Sequence, residues 1–424
     1  MTLALIVWVI MLIFGTPIFV SLGIASMIFL ISGDYSLMVV TQRVTNAANS
    51  FPLLAAPFFI LMGNVMNNSG VTRRMFHFAS VLVGWLRGGL GHANVVASMF
   101  FAGMSGSAVA DAGGLGNIEI KAMTEQGYEV DFSAGITAAS AVIGPIIPPS
   151  LPMVIYSVLA NVSLGRMFLG GYVPGIIMGL ALMVMVAFFA RKRNYPKTPF
   201  PSPKIIWDAF KESFFALMAP AILFVGIATG IFTPTEAAIV AAFYSLVIGI
   251  FVYREFKIRD LPRMILMTVE TNGVVLGLVM TAVLFGWVLA VGGVPQQMAN
   301  ILISFSGSKY TFILIVNLFL LFVGCFMEGN AAQMILVPIL APIAATMGID
   351  PIQFGIIVVF NLMVGTVTPP VGIVLFVTAN VAHISFERVV KATMPFLIPL
   401  VITLIIISYW PPLTTFVPNL LMGK

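Results

Sequence analysis

The sequence consists largely of long apolar stretches in which charged positions are rare. A helix that crosses a bilayer needs about 20 predominantly apolar residues, and stretches of this kind recur from one end of the chain to the other. The stretches without an internal break are 2–32, 51–68, 167–190, 214–232, 234–252, 268–291 and 395–420. We therefore predict an all-α polytopic membrane protein in which each of these stretches is one span.

Two further apolar stretches, 132–160 and 351–380, are interrupted by glycine and adjacent prolines. The interruptions are Gly144-Pro-Ile-Ile-Pro-Pro-Ser150 and Gly365-Thr-Val-Thr-Pro-Pro370. Proline cannot donate a backbone hydrogen bond and blocks the preceding turn, so each break leaves unpaired carbonyl groups. Such groups are tolerated at membrane depth only where protein, water or an ion covers them. We predict two broken transmembrane helices, and such a pair in corresponding halves is typical of a transporter binding site.

Two other stretches are predicted to be re-entrant helical hairpins. Residues 93–123 carry Asp111 near their centre, so each arm has about 15 residues and a length of roughly 22 Å. This is shorter than the hydrocarbon core of about 30 Å. Residues 311–348 repeat the pattern, with Glu328-Gly329-Asn330 at the tip. The segments 71–87 and 294–306 mix polar with apolar residues, and we expect them to be helices at the membrane interface.

Composition excludes several classes of protein. The 424 residues are 60% hydrophobic and 8% charged, far from the averages of soluble domains. The single Cys325 excludes an internal disulfide framework, and three isolated histidines give no transition-metal spacing. No phosphate-binding Walker A loop occurs, so neither ATP hydrolysis nor any other enzyme activity or cofactor is expected. The net charge of +5 reflects membrane topology, and no nucleic-acid partner is predicted.

Basic residues predict the orientation of the spans. The loops 191–204 and 254–263 hold nine of them, and two spans separate these loops, so both lie on one face. Short basic loops mark the cytoplasm. Propagation along the chain places sixteen basic residues inside and four outside, and it predicts a cytoplasmic amino terminus and a periplasmic carboxy terminus. The four outside residues are Arg43, Arg166, Lys309 and Lys424.

Short matches relate the two halves of the chain. Residues 61–71 align with 284–294 at an offset of 223, and Ala160-Asn161-Val162 aligns with Ala379-Asn380-Val381 at an offset of 219. Each half has a span, an interfacial helix, a hairpin, a broken span and a final span. Because the first half starts outside and the second inside, we predict an inverted-topology repeat, with 191–265 as the connector.

Five motifs in this order resemble the large membrane subunit of TRAP (tripartite ATP-independent periplasmic) transporters, DctM type, and the resemblance extends over about residues 1–420. The motifs are Gly103-Met-Ser-Gly-Ser-Ala-Val-Ala-Asp111, Gly144-Pro-Ile-Ile-Pro-Pro-Ser150, Phe232-Thr-Pro-Thr-Glu-Ala237, Phe326-Met-Glu-Gly-Asn330 and Gly365-Thr-Val-Thr-Pro-Pro370. The resemblance implies sodium-driven uptake of an organic acid across the bacterial inner membrane, with Na⁺ as the coupling ion. It also implies three partners besides membrane lipid: a small membrane subunit on a separate chain, a periplasmic substrate-binding protein and the organic anion.

The same resemblance implies an elevator-type ion-transporter fold, in which a transport domain slides against a scaffold. The expected division is 1–92 for scaffold helices and the first interfacial arm, and 93–165 for the first transport half. Residues 166–306 form further scaffold, the connector and the second arm. Residues 307–383 form the second transport half, and 384–424 form a scaffold or arm helix at the carboxy terminus.

Both hairpin tips and both breaks are expected to meet near the midplane. Hard cations prefer oxygen ligands, so we predict two pseudosymmetric sodium sites and no transition metal. The predicted sodium-binding residues are Ser105, Gly106, Ser107, Gly144, Pro145, Pro148, Gly329, Asn330, Gly365, Thr366 and Thr368. The predicted substrate-facing residues are Ser107, Ser150, Glu328, Asn330 and Thr368. No Lys or Arg lies within a predicted span, so helix amino termini and bound cations must attract an anionic substrate.

Structural roles compete with these functional ones. Ser105 and Ser107 can cap backbone groups at the tip, and a capping role is preferred for Asp111. Glu328 is equally compatible with capping and ligand binding, and Glu236 is expected to stabilise a helix start. Carboxy-terminal capping is expected for Asn161 and Asn380, whereas Glu119 on the returning arm is expected to face the scaffold.

Two other functions remain as alternatives. Re-entrant loops also form the filters of ion channels, although channels usually gather such loops from several subunits around one axis. A pair of carboxyl groups such as Asp111 and Glu328 performs acid–base chemistry in hydrolases when the two are close. The sequence leaves the substrate open among C4-dicarboxylates, sialic acids and similar carboxylates.

Overall fold

The computed structural model describes residues 1–306 and 308–423, so Gly307 and Lys424, which the sequence analysis assigned to the second transport half and to the outer face, lie outside the described residues. The described chain is all-α and contains no strand. Its first half comprises α1 (Thr2–Ile13), α2 (Ile18–Ser32), α3 (Met38–Ala48), α4 (Ala55–Asn68), α5 (Val71–Val83), α6 (Gly89–Ser105), α7 (Ala108–Ala110), α8 (Gly116–Glu125), α9 (Val130–Ala141), α10 (Leu151–Leu159) and α11 (Leu164–Lys192). The second half comprises α12 (Pro203–Ala228), α13 (Pro234–Val247), α14 (Leu261–Val291), α15 (Val294–Ser306), α16 (Lys309–Phe326), α17 (Gly329–Thr346), α18 (Pro351–Gly365), α19 (Ile373–Ala382), α20 (Phe386–Tyr409) and α21 (Pro412–Met422).

Most of the predicted spans are helices of the expected length. Within the described ranges, eight helices are long and apolar enough to cross a membrane. They include α11, α12, α13 extended by a π-helical turn, and α14, which agree with four predicted spans. A short 3₁₀ turn over Phe51–Leu54 precedes α4, and together they form the predicted span 51–68. The chain is therefore a multi-span helical membrane protein.

The span predicted over 2–32 is wrong. Gly15, in the left-handed region with φ +72°, and Pro17 separate α1 from α2. The two helices fold back on each other, because Ala4 and Phe29 share one small apolar cluster. At 1.5 Å per residue, the 12 residues of α1 extend about 18 Å, too short for a crossing.

This hairpin also changes the predicted position of the amino terminus. The Met1 Sδ atom lies beside Gly292, 2.9 Å from where a Cβ atom at that glycine would be. Gly292 follows the end of α14 that is remote from the basic loop 254–263. Met1 therefore lies at the face opposite the loop 254–263, whereas the sequence predicted both on the cytoplasmic face. Which of the two faces is cytoplasmic stays a prediction.

The span predicted over 395–420 is also misplaced. The long helix is α20, which begins at Phe386, and it ends at Tyr409 before Pro411. Because proline has no backbone N–H group to donate within a continuing helix, α20 ends before Pro411 and α21 is a separate helix. It packs on the start of α11, where Arg166 Nη2 donates to Asn419 Oδ1.

Both broken helices are present. The first consists of α9 and α10 with a non-helical segment over 142–150, and the second consists of α18 and α19 with a non-helical segment over 366–372. No hydrogen bond from any described residue reaches the carbonyl oxygens of Ile146 to Pro149 or of Val367 to Pro370. The expectation of bare carbonyls in each break is thereby confirmed.

The two broken helices run in opposite directions. Tyr156 Oη, near the end of the first, donates to Pro351 O at the start of the second, at 3.1 Å. At the opposite pair of ends, Arg388 Nη2, just after the second, donates to Asp131 Oδ1 at the start of the first, at 2.6 Å. The predicted inversion of the second repeat is therefore present in the geometry.

The repeats also share an interior hydrogen bond. In the first half, Ser140 Oγ on α9 donates to Asn94 Oδ1 on α6 at 2.7 Å. In the second half, Asn361 Nδ2 on α18 donates to Asn317 Oδ1 on α16 at 2.8 Å. Asn94 precedes Asn317 by 223 positions and Ser140 precedes Asn361 by 221. The same bond therefore fixes each broken helix to the first arm of its hairpin.

The residues predicted to lie inside gather on one face. Arg73 and Arg74 pair with Glu255 beside the basic loop 254–263, at 3.4 and 2.7 Å. Arg193 pairs with Glu129 at the start of the first broken helix. These contacts join loops that the positive-inside rule had placed together from charge alone.

Candidate transport site

The two hairpin tips and the two breaks line one small cavity. Its wall includes Ser107 from the first tip, Pro145 from the first break, Glu328 and Asn330 from the second tip, and Thr366 from the second break. The volume is about 70 Å³, whereas organic-ligand pockets usually exceed about 300 Å³. In this conformation the cavity has room for an ion with a water molecule, and an organic acid requires it to widen.

The first tip packs on the first break through backbone atoms. Gly106 has φ +58°, and a Cβ atom there would lie 2.5 Å from Pro149 O. A Cβ atom at Gly144 would lie 3.4 Å from the Ser107 carbonyl group. Only glycine both adopts the left-handed conformation readily and allows Pro149 O to come so close to its Cα atom. Gly106 and Ser107 therefore contact the first break, whereas the binding of sodium by Ser105, Gly106 and Ser107 stays a prediction.

The second tip packs on the second break in the same way. A Cβ atom at Gly365 would lie 2.6 Å from the Cα atom of Gly324, at the end of the first arm. Gly372 N donates to Cys325 O at 3.2 Å across the same contact. The tip residue Gly329 lies against Met363 at the end of α18.

The location of the second tip, and not the length of its arms, identifies the re-entrant hairpin. Its two arms, α16 and α17, have 18 residues each, which is more than the sequence estimate and, by length and composition, enough for a crossing. The tip nevertheless lies beside the break in the middle of a spanning helix, so the chain turns back at mid-depth.

Buried oxygen atoms without partners lie at the second tip and in the interior of the second transport half. Asn330 Nδ2 donates to Glu328 Oε1 at 2.8 Å, while Asn330 Oδ1 is buried and has no hydrogen-bond partner among the described residues. The same holds for Asn361 Oδ1 and for Gln333 Oε1, whose side chain is fully buried. Of these residues, Asn330 alone lines the cavity in the part of the chain that the structure describes. Since buried polar atoms are normally satisfied, its free Oδ1 is a candidate contact for a bound ligand.

Several tip residues also have the structural roles that competed with function. Ser107 Oγ accepts from Ala110 N at 3.4 Å and caps α7, and Ser105 Oγ accepts from Ser107 N at 3.5 Å. Glu328 caps α17, accepting from Ala331 N at 2.9 Å. Since Ser107 and Glu328 also line the cavity, capping leaves room for ligand contact.

Other predicted ligands lie near the cavity without lining it. Ser150 is fully buried and caps α10, and its Oγ donates to Pro145 O. It does not line the cavity in this conformation, and its contact with the substrate stays a prediction. Thr368 Oγ1 donates to Val364 O at 2.8 Å. The remaining residues of this group contribute backbone to the same tip and break segments. They are Ser105, Gly144, Pro148, Gly329 and Gly365.

One of the two acidic residues that were predicted to cap a helix does so, and the other does not. Glu236 forms a reciprocal cap with Thr233, as expected. Asp111 does not cap the hairpin tip. It is fully buried within a π-helical turn, Asp111–Leu115, where Ser98 Oγ donates to its Oδ1 at 3.4 Å. The side chain lies in the hairpin interior and does not line the cavity, so it is not joined with Glu328 as the hydrolase alternative requires.

Glu119 was expected to face the scaffold and instead lies in the interior of the first transport half. Asn94 Nδ2 donates to Glu119 Oε2 at 2.6 Å and to Thr137 Oγ1 at 2.7 Å. Of the two asparagines expected to end helices, Asn161 follows α10 with φ +53°, as a terminating residue does. Asn380 lies inside α19, which ends at His383 instead.

Sequence reasoning missed the interior amides Asn94, Asn317, Gln333 and Asn361. The repeat offset provides a signal for two of them, since Asn94 and Asn317 match at 223. The same offset pairs Ser105-Gly106-Ser107 with Glu328-Gly329-Asn330. The two tips are therefore equivalent in position but not in chemistry.

The helices outside the transport halves approach the hairpins at glycines related by the repeat. A Cβ atom at Gly63 on α4 would lie 3.2 Å from Met104 O in the first hairpin. A Cβ atom at Gly286 on α14 would lie 3.0 Å from Pro338 Cβ in the second. Gly63 and Gly286 are 223 positions apart, so the two halves share this close contact.

A larger cavity separates α14 from the second transport half. Its volume is about 550 Å³, and Trp287 and Arg43 line it together with Tyr156, Asn161 and Pro338. Most of the lining residues belong to α14, α10, α17 and α18, and the others include Arg43 on α3 and residues 160–162 after α10. Unfilled space therefore lies between elements that the sequence assigned to separate domains.

Comparison with known proteins identifies relatives over almost the whole chain. The model of the DctM family, described as "Tripartite ATP-independent periplasmic transporter, DctM component", matches residues 5–413. A sialic acid TRAP transporter large permease protein, SiaM of Vibrio cholerae, is 42% identical over 417 residues, covering 98% of each chain. A C4-dicarboxylate TRAP transporter large permease protein, DctM of the same species, is 42% identical over 436 residues, covering 97% of this chain and 96% of that protein.

A solved structure has a similar fold. The crystal structure of the Alcanivorax borkumensis YdaH transporter, described as having an unusual topology, superimposes with a TM-score of 0.66 over 88% of each chain. At 14% identity, the likeness concerns the fold alone. It agrees with the all-helical architecture described above.

Proposed function

Because the chain belongs to the DctM family of tripartite ATP-independent periplasmic transporters, we propose that it is the large permease subunit of a sodium-coupled importer of an organic acid. The observation that carries the proposal is the cavity shared by both tips and both breaks. Ser107, Glu328 and Asn330, with its unpaired Oδ1, line it. The free carbonyl oxygens of 146–149 and 367–370 belong to the same two break segments, next to the lining residues Pro145 and Thr366. Such oxygens bind a hard cation, and at membrane depth they require a partner.

The electrostatics of the cavity favour coupling between cation and anion. No Lys or Arg is among the described residues that line it, so an organic anion meets no basic side chain there. A bound cation and the amino-terminal ends of α10, α17 and α19 supply the positive field. Sodium then binds before or together with the substrate. If the transported ions and substrate together carry a net positive charge, the membrane potential contributes about 2.3 kcal/mol per charge for each 100 mV.

The substrate class and partners follow from the relatives. They are named for sialic acid and for C4-dicarboxylates, both carboxylates, so we expect a carboxylate here. A large permease works with a small membrane subunit, and a periplasmic binding protein delivers the solute. We place the complex in the bacterial inner membrane and assign no catalytic role to the chain.

Sodium dependence tests the proposal directly. Proteoliposomes that contain this chain and the small subunit, supplied with the binding protein and a labelled carboxylate, are expected to accumulate the solute only with an inward sodium gradient. Replacement of sodium by potassium should lower uptake by at least about tenfold, because each 1.4 kcal/mol of lost driving energy is worth that factor. Undiminished uptake in potassium contradicts the proposal.

We further propose an elevator mechanism, in which the hairpins and broken helices move as one body. The repeat-related contacts at Gly63 and Gly286 and the cavity of about 550 Å³ beside α14 support it, since small residues allow close helix approach in membranes. The moving surfaces would meet at these glycines.

Gly286→Ala tests the sliding contact. The added methyl group meets Pro338 Cβ at 3.0 Å, and we expect uptake to slow roughly fivefold, equivalent to about 1 kcal/mol of overpacking, with sodium affinity unchanged. Gly277→Ala is the matched control on the same helix, because nothing lies within 4 Å of its Cβ position. Equal uptake by both variants argues against movement across this contact.

A further inference from the structure

Two carboxyl groups in the first hairpin are buried with an oxygen atom free on each. The side chains of Asp111 and Glu119 are fully buried. Each has one oxygen that accepts a hydrogen bond, from Ser98 and from Asn94 respectively. The other oxygens, Asp111 Oδ2 and Glu119 Oε1, have no hydrogen-bond partner among the residues described. The transport site makes no use of either group.

The two carboxyl groups are neighbours on one helix face. The π-helical turn from Asp111 to Leu115 accommodates one extra residue. Asp111 and Glu119 are eight residues apart, and with this extra residue they lie on the same face, as residues seven apart do in a regular helix. Their donors, Asn94 and Ser98, are one turn apart on α6, which separates side chains by about 6 Å. Asp111 and Glu119 therefore face the same part of α6.

No positive side chain compensates this pair. The charged and titratable groups nearby lie on the same hairpin arm or on the helices packed against it. Among the described residues, none of these groups makes a hydrogen bond or ion pair with Asp111 or Glu119. Arg73 and Arg74 instead pair with Glu255, and Asp131 pairs with Arg388. These groups are Arg73, Arg74 and His77 on α5, His92 on α6, Lys121 and Glu125 on α8, Asp131 on α9, and His383 at the end of α19. Two uncompensated charges buried together carry a large free-energy cost.

The second hairpin shows that the fold does not require these acids. At the repeat offset of 223, Asp111 corresponds to Met334, and Glu119 corresponds to the apolar segment 340–342. The interior bond of Asn94 has its equivalent at Asn317. The carboxyl pair is thus an addition to the first half and not a consequence of the shared architecture.

We propose that Asp111 and Glu119 together bind one monovalent cation, a sodium ion or a proton, at a site separate from the cavity between the tips. Their free oxygens supply the contacts, and the hydroxyl groups of Ser98 and Thr137 complete an oxygen-lined environment. The cation removes one of the two negative charges that the carboxyl pair would otherwise carry within the membrane, and it moves with the first hairpin. The site is independent of the transported solute and of whether sodium drives uptake.

Isosteric amides test this proposal on the purified full chain in nanodiscs, without transport. Two readouts separate the cations: equilibrium binding of radioactive sodium, and the infrared band of a protonated carboxyl group in sodium-free buffer. We expect Asp111→Asn and Glu119→Gln each to bind one sodium ion fewer than the wild type, which identifies sodium. Alternatively, the wild type shows a protonated-carboxyl band that Glu119→Gln or Asp111→Asn removes, which identifies a proton.

Asp131→Asn is the control, since that carboxylate is half-exposed and paired with Arg388, and we expect both readouts to match the wild type. The proposal is overturned if the wild type shows only ionised carboxylate bands and all variants bind the same amount of sodium. Should an amide variant fail to fold, the wild-type spectrum with and without sodium decides the question. If wild-type proteoliposomes show no sodium-driven uptake while the binding or infrared result is as expected, the proposed function is rejected and the site at Asp111 and Glu119 stands.

Discussion

Gly365→Ala is expected to reduce sodium-dependent uptake about a hundredfold. The new methyl group would lie 2.6 Å from the Cα and carbonyl C atoms of Gly324, and backbone atoms cannot turn aside as a side chain does. Overpacking of this kind costs up to about 3 kcal/mol, which corresponds to about a hundredfold in an equilibrium. The second tip must separate from its break, so the oxygens around Asn330 no longer converge. Uptake into proteoliposomes, with the amount of folded protein measured by size-exclusion chromatography, checks the result.

Gly113→Ala provides the matched control within the transport domain. A Cβ atom at Gly113 meets only Val377 Cγ1, at an ordinary distance of 3.6 Å, and near-normal uptake is expected. If Gly365→Ala transports as well as this control, the contact between the second tip and its break is not part of the transport site.

Asn330→Ala is expected to weaken sodium binding without comparable loss of folding. The substitution removes an oxygen that is buried, unpaired and beside the cavity. Contacts to charged groups are worth about 1.5–3 kcal/mol, so the sodium concentration for half-maximal uptake should rise roughly ten- to a hundredfold. At saturating sodium, uptake should recover most of its wild-type rate. Titration of uptake against sodium at constant ionic strength measures the shift.

Asn380→Ala serves as the control, because this asparagine is exposed on α19 and lies away from the cavity. Its sodium titration should superimpose on that of the wild type. A normal sodium titration in Asn330→Ala, with reduced uptake at every sodium concentration, would mean that Asn330 positions the tip and does not contact the cation.

Much of the site was visible in the sequence because proline and glycine have local effects. The breaks at 144–150 and 365–370 follow from missing backbone donors, and the structure confirms both. The meeting of tips and breaks followed from the inverted repeat. The repeat rested on short sequence matches at a nearly constant offset, and its inversion rested on the distribution of basic residues. These inferences require no knowledge of side-chain packing.

Other features depend on packing that a hydropathy pattern does not contain. The stretch 2–32 is apolar throughout, and its length alone suggested one span. The fold-back at Gly15 and Pro17 brings α1 and α2 against the end of α14 that is remote from the loop 254–263, where apolar contacts replace a crossing. The helix that begins at Phe386 includes the charged Glu387, Arg388 and Lys391, which the apolar window excluded.

The position of Asp111 was missed for a related reason. Its place near the middle of the first hairpin suggested the tip, but the chain turns at Gly106, and Ser107 takes the capping role. The π-helical turn that carries Asp111 into the interior has no clear sequence signal beyond Gly113 and Gly114. Hydrogen bonds between Asn94, Glu119 and Thr137 likewise join distant parts of the chain.

The central claim is that two repeat-related gaps in the backbone hold cations in one shared space. High-resolution electron cryo-microscopy of the complex with its small subunit, prepared once in sodium and once in choline, tests it most directly. We predict density enclosed by oxygens at each tip and break, near Ser107 with Pro145 and near Asn330 with Thr366, in sodium and not in choline. Maps with neither density in sodium, or with identical features in both salts, would contradict the claim.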